Sequence, residues 1–242
     1  MYAIVNCPEL KMKFPQTVEE CARAAENFAT ISHGRAITNC IGVCDGFLLE
    51  IEAPRRAIVG NFRSNFSGHY QRYVVNCQAV SDHLSRFIYF GIAGPGVMGD
   101  NIAVREVNLF SLIKNLPVPF CVIGDAAYQP TEHLVSMYYG ADKKRPLYDN
   151  FNFYASQLRI RVEMAFGLMT KSGGCFLAPT YRRHQETQVS CYCSCSHSQL
   201  LHQRADCRVG KCTSRSSGRS KNFRKDVRSC YFGGCCGTWS SQ

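Results

Sequence analysis

Two strand-like stretches joined by only three residues constrain the fold of this chain more than any other feature. "YQRYVVNCQAVSD" (residues 70–82) and "RFIYFGIAG" (86–94) are rich in β-branched and aromatic residues, with His83, Leu84 and Ser85 between them. Three residues can close a hairpin but cannot carry a parallel crossover, so the two stretches are predicted to pair antiparallel. Just upstream, "AITNCIGVCDGFLLEIEAP" reads as a further strand ending at Pro54. Residues 55–70, basic and polar with Gly60 and Gly68, read as a loop or hairpin. A β-meander therefore opens the domain.

The pattern then changes to alternation. "GPGVMGDN" is a Gly-rich turn. Asn101 is predicted to cap a helix reaching about Asn115, with Ile102, Val104, Val107, Leu109, Phe110 and Ile113 as its apolar positions; Pro117 and Pro119 stop it. "FCVIG" is a short buried strand, residues 129–152 look like a loop, and a helix is predicted from about Ala155 to Lys171. On that helix Leu158, Val162, Ala165, Phe166 and Met169 share one face. Ahead of the meander, "TVEECARAAENFATIS" spaces Val18, Cys21, Ala22, Ala25 and Phe28 as a helix would, with Thr17 and Glu20 forming a capping box. Three strands, helix, strand, loop and helix make a mixed α/β domain.

Charge divides the chain in two. Residues 1–180 hold 17 Lys/Arg against 15 Asp/Glu, whereas residues 181–242 hold 11 against 3. Most of the formal +10 thus lies in the tail, and the body is not a basic nucleic-acid module by composition. Eight of the 15 cysteines crowd into residues 191–236; the other seven are scattered, several in apolar runs, which fits a reducing, intracellular compartment. No apolar run of 18 or more residues occurs, so no membrane span is expected. Glu19, Glu20 and Glu26 in the first thirty residues argue against a secretory signal.

Three acids stand where secondary structure can deliver them to one place. Asp45 lies within the first strand, Asp125 at the end of "FCVIG", and Glu163 on the last helix, off its apolar face. Carboxylates gathered at strand ends repel one another unless a cation neutralises them, and an all-oxygen site suits Mg²⁺ or Mn²⁺. Plainer readings stand beside this one. Asp125 can be a turn residue, and Glu163 can simply pair with Arg159 one helical turn before it.

The blocks "IGVCDG", "GDAAY" and "SQLRIRVEMAFG" resemble the three signature blocks of the DDE endonuclease domain of Harbinger-type (PIF/Harbinger) transposases. "GPGVMGDN" and "FNFYASQLR" resemble two further stretches of the family, all in the family's order across about residues 35–180. The 37 residues between Asp125 and Glu163 are near the spacing typical of the superfamily. The resemblance implies an RNase H-like fold, a mixed sheet flanked by helices. It implies that Asp45, Asp125 and Glu163 form a catalytic, metal-binding triad using Mg²⁺ or Mn²⁺ to cleave DNA and transfer strands in the nucleus. Asp100 matches the extra acid of the family's fourth block, either supporting the site from behind the triad or capping the helix after it. Arg159 matches the family arginine, which can orient Glu163 or meet a phosphate. The Lys143, Lys144 and Arg145 cluster is a candidate DNA-backbone contact, with a merely solvated loop as the plainer reading. Relatives often work with a separate Myb-like DNA-binding partner protein.

Two departures qualify the resemblance. Only about forty residues precede Asp45, too few for the helix-turn-helix region such transposases usually carry, so a truncated enzyme is expected. Further on, "SCYCSCSHSQLLHQ" stands where the family has an alanine-rich helix. A permitted choice of codons for that stretch, read one nucleotide later, encodes such a helix, so out-of-frame translation is one account of the tail. A zinc site is the poorer account, because C-x-C-x-C-x-H is a bad tetrahedral framework, and a basic arm for nucleic acid is a third. The expected organisation is a helical run-in (1–39), an endonuclease domain (40–180) and a disordered or frameshifted Cys-rich basic tail (181–242). The alternative function is a decayed or domesticated derivative that binds nucleic acid or protein without cleaving.

Overall fold

The computed structural model describes residues 12–51, 53, 66–67 and 71–172. The tail, the first eleven residues and most of the expected loop at 55–70 lie outside the described residues.

The strands are β1 (Cys40–Glu50), β2 (Phe66–Ser67), β3 (Arg72–Ser81), β4 (Phe87–Pro95), β5 (Cys121–Gly124) and β6 (Leu134–Ser136). The predicted hairpin is present: β3 and β4 pair antiparallel, and Asp82 closes the turn by accepting from the backbone N–H groups of Leu84 and Arg86. β1 pairs antiparallel with β3 on one side and parallel with β5 on the other, and β5 pairs parallel with β6. The sheet therefore runs β4-β3-β1-β5-β6, with two-residue β2 against the start of β3. Three antiparallel strands followed by two parallel to the central one is the mixed sheet expected of an RNase H-like domain.

Among the described residues four α-helices flank it: α1 (Val18–Ile31), α2 (Asp100–Glu106), α3 (Leu109–Lys114) and α4 (Pro146–Ser172). The capping box of α1 is formed as predicted, Thr17 Oγ1 accepting from Glu20 N–H while the Glu20 carboxylate accepts from Thr17 N–H. Cys21, Ala25 and Phe28 are buried as predicted, whereas Val18 and Ala22 face solvent and Ala29 is buried instead.

A bulge in β1 organises the two faces of the sheet. Cys40 pairs with Cys121 but Gly42 with Val122, so β1 carries one extra residue there. In consequence Ile41 and Cys44 join α1, α2 and α3 in one apolar layer with Val104, Leu109 and Ile113. Cys40 and Val43 join the layer beneath α4, where Ala155, Leu158, Val162, Ala165 and Met169 are buried. Burying each large aliphatic side chain stabilises the fold by roughly 1.5–3 kcal/mol, and the stripe read from the sequence, Leu158, Val162, Ala165, Phe166 and Met169, is buried in full on the sheet side of α4.

Three expectations need correction. The helix after the Gly-rich turn is broken: α2 ends at Glu106, and Asn108 takes a left-handed conformation (φ 60°) before α3 begins. Asn101 does not cap it, since Gly99 is the cap residue and the Asn101 side chain accepts from Gln129 N–H at 3.3 Å. The stretch 129–152 is not all loop, because it contains β6 and the first residues of α4, which starts at Pro146 rather than about Ala155. Proline suits a first helical position, lacking the N–H that would have no partner there. β6 was hidden by its length of three residues, too short for any periodicity.

Candidate active site

β1 places Asp45 and Gly46 on opposite faces of the sheet. Asp45 points to the α4 side, next after Val43 on that face. Its Oδ1 accepts from Gly46 N–H at 3.0 Å, and its Oδ2 accepts from Arg159 Nη1 at 3.0 Å. Arg159 Nη2 donates to Glu163 Oε1, so one guanidinium bridges a carboxylate of β1 and a carboxylate of α4. The pairing that the sequence offered as a plain reading for Glu163 is thus present, and the same arginine reaches the strand as well.

Asp125 follows β5. The register Val43–Ile123 between parallel neighbours, continued two residues, sets Asp45 level with Asp125. Asp125 Oδ1 accepts from Ala127 N–H at 2.9 Å, making the turn that ends the strand. Its Oδ2 has no hydrogen-bond partner among the described residues. The electrostatics record this proximity. The Asp45 carboxyl is pushed up from the ordinary 3.8 to about 6, by burial first; Arg159 opposes the rise, and the charges of Asp125 and Asp100 add to it.

Asp100 approaches β1 from the other face. A Cβ on Gly46 would lie 2.1 Å from Asp100 Oδ1, so only glycine permits the approach. Asp100 opens α2 rather than capping it, and its Oδ1 accepts from Gln78 Nε2 at 2.9 Å and Asn76 Nδ2 at 3.1 Å. Gln78 Oε1 in turn accepts from the Tyr128 hydroxyl at 2.6 Å. Tyr128, the last residue of "GDAAY", is 2 % exposed and folds back into the α1–α3 layer. Gly124 makes room for it, because a Cβ there would meet the tyrosine ring at 2.6 Å and Cys44 Sγ at 2.9 Å. Burial and the surrounding charges push the Tyr128 hydroxyl far above its usual range, so it remains a donor.

Sequence reading did not single out Asn76 and Gln78. A signal existed: two amides two residues apart in "VVNCQAVS" share a face of a strand that is otherwise apolar. Lys143, Lys144 and Arg145 lie in and after a single 3₁₀ turn before α4, all exposed. Arg145 sits 3.7 Å from Asp142 and over the Tyr148 ring.

Asp45, Asp125 and Glu163 offer oxygen donors only, the chemistry that suits a hard divalent cation, and the charge of Asp125 adds to the burial that raises the Asp45 carboxyl. No three such side chains among the described residues converge closely enough to hold one as they stand, and Arg159 supplies the positive charge between Asp45 and Glu163. No helix among the described residues is long and apolar enough to cross a membrane. A family model described as DDE superfamily endonuclease matches residues 44–197, well over half of the chain and inclusive of all three acids. No curated protein and no solved structure matches it.

Proposed function

The chain belongs to the DDE superfamily endonucleases, and on that premise we propose that it is a metal-dependent DNA endonuclease of Harbinger transposase type. Asp45, Asp125 and Glu163 would be the catalytic carboxylates and would hold Mg²⁺ or Mn²⁺. The observation that supports this reading is the β1–β5 register, which continued past its last pair sets Asp45 level with Asp125 just after β5, together with the pairing of Arg159 with both Asp45 and Glu163. A bound divalent cation would activate water and stabilise the leaving oxygen of a phosphodiester. The protein's own part is orientation: the Gly46 and Ala127 amides and Arg159 fix the carboxylate rotamers before any substrate arrives. Lys143, Lys144 and Arg145 would meet DNA phosphates through sequence-independent attraction. A nuclear site of action and a Myb-like partner for target recognition complete the reading.

A second reading has its own observation. Arg159 pairs with both Asp45 and Glu163, giving these carboxylates a counter-charge from the protein itself, as a non-catalytic nucleic-acid or protein-binding derivative would need. Nicking of supercoiled plasmid in Mg²⁺ or Mn²⁺ separates the two. The endonuclease reading expects nicking by the wild type that Asp125→Asn and Glu163→Gln abolish. Equal nicking by wild type and Asp125→Asn would remove the triad from the mechanism, and DNA binding without any nicking would favour the non-catalytic derivative.

A further inference from the structure

Gln78 is a fully buried amide in the middle of a strand, paired in register with Gly46. Burying an amide costs several kcal/mol unless its hydrogen bonds are replaced (roughly 2–7 kcal/mol). Here they are all replaced. One Nε2 hydrogen goes to Asn76 Oδ1 at 2.9 Å and the other to Asp100 Oδ1 at 2.9 Å, while Oε1 accepts from Tyr128. Asn76 is used as fully, donating to Met98 O at 2.9 Å and to Asp100 Oδ1. With the tyrosine hydroxyl a donor, neither amide can flip without losing partners.

The partners belong to separate pieces of the site. Tyr128 ends the turn that starts at Asp125, and its carbonyl accepts from Ser136 Oγ of β6 at 2.7 Å. Asp100 starts α2, whose next residue, Asn101, accepts from the N–H of Gln129, the residue just after that turn. Gln78 thus joins the turn after β5 to the start of α2, directly behind the Asp45–Gly46 segment of β1.

We propose that Gln78 is a positioning residue of the endonuclease site, acting through Tyr128 and Asp100 to hold the Asp125 turn in place beside Asp45. This rests on the reading above that Asp45 and Asp125 share a cation. A residue of this kind changes how well the carboxylates bind an ion, beyond any change in fold stability.

The test is Mn²⁺ titration of the full chain, followed by the electron paramagnetic resonance signal of free Mn²⁺, with a thermal melt of each variant. Gln78→Leu removes the amide at similar volume, and Tyr128→Phe removes one hydroxyl. Ile113→Val trims the apolar layer that Tyr128 also joins but removes no hydrogen bond of the network, and controls for stability alone. Gln78→Leu is expected to weaken Mn²⁺ binding by about tenfold or more, the usual effect of losing an outer support to a metal site. Tyr128→Phe is expected to weaken it by about threefold, and the double variant to be no weaker than Gln78→Leu, because the two act along one chain of bonds. Ile113→Val should lower the melt without changing the affinity. If Gln78→Leu does not fold, Tyr128→Phe decides. Loss of Mn²⁺ binding in Asp125→Asn with wild-type affinity in both network variants overturns the positioning role alone. No Mn²⁺ binding by the wild type, or equal binding by Asp125→Asn, overturns the metal reading and this proposal with it.

Discussion

Arg159 reaches from the middle of α4 to Asp45 on the central strand, 3.0 Å from guanidinium to carboxylate, and both side chains are about four-fifths buried. Asp45 is still held near pH 6 against its ordinary 3.8, because burial outweighs the arginine and Asp125 adds to the rise. Between those values the folded chain keeps a proton that the unfolded chain has lost. Metal-free stability should therefore fall as pH rises through this window, by up to about 3 kcal/mol at roughly 1.4 kcal/mol per unit. Urea unfolding in EDTA at pH 4 and pH 6.5 measures it, and Asp45→Asn should remove that part of the slope. An unchanged slope would mean that Asp45 titrates normally.

Removing the arginine exposes the same conflict from the other side. Arg159→Leu leaves Asp45 buried beside Asp125 with its counter-charge gone, and breaking a buried pair from one side typically costs about 3–5 kcal/mol. Water still reaches this pair, so a loss of roughly 2–3 kcal/mol at pH 7 is expected. The melting temperature of Arg159→Leu should recover in part when millimolar Mg²⁺ is added, by mass action on a folded-state site. No recovery would count against cation binding there.

Gly46 can be tested by adding one methyl group. Gly46→Ala places a Cβ within 2.1 Å of Asp100 Oδ1, an oxygen held by two amides. Relief requires moving α2 or breaking those bonds, which should cost about 1–3 kcal/mol, the usual range for overpacking. Introducing Asp100→Ala as well should make the pair less harmful than the sum of the single changes, in urea midpoints, because it removes the atom that is struck.

Asn152 gives a prediction about α4 itself. It is 4 % exposed and pairs with the Tyr138 backbone in both directions, accepting from N–H at 2.9 Å and donating to the carbonyl at 2.9 Å. Asn152→Ala leaves both groups of Tyr138 without that partner, at a cost of about 1–3 kcal/mol for each that stays buried. Asn152→Asp can keep only the first bond and should fall between Ala and wild type at neutral pH, read by chemical denaturation.

Several of these features were legible in the sequence because they repeat. The capping box, the hairpin and the α4 stripe each depend on residues two to four apart, and all three formed. Asp45, Asp125 and Glu163 were singled out as candidates through short motifs whose order along the chain is their signal. What escaped notice depends on long-range meetings. The Tyr128–Gln78–Asp100 connection joins residues 22 and 50 positions apart. Nothing local marks Tyr128 as an inward residue, yet its ring fills the space beside Gly124. The break at Asn108 was equally invisible, since the apolar spacing runs on through it.

The extra residue in β1 acts as a phase setter for the chemistry. Ile41 is the inserted position, and it alone lets Cys40 and Val43 face α4 together, which carries Asp45 to the same side. Deleting Ile41 would close the bulge into a regular ladder and leave Asp45 facing α4, whereas a one-residue slip that the bulge did not take up would turn the acid into the α1–α3 layer. The exposed turn at 140–145 sets no such phase, so lengthening it would leave the acids where they are. The chain can tolerate drift in the spacing from Asp125 to Glu163 at that turn, but a slip ahead of Asp45 only where the bulge takes it up.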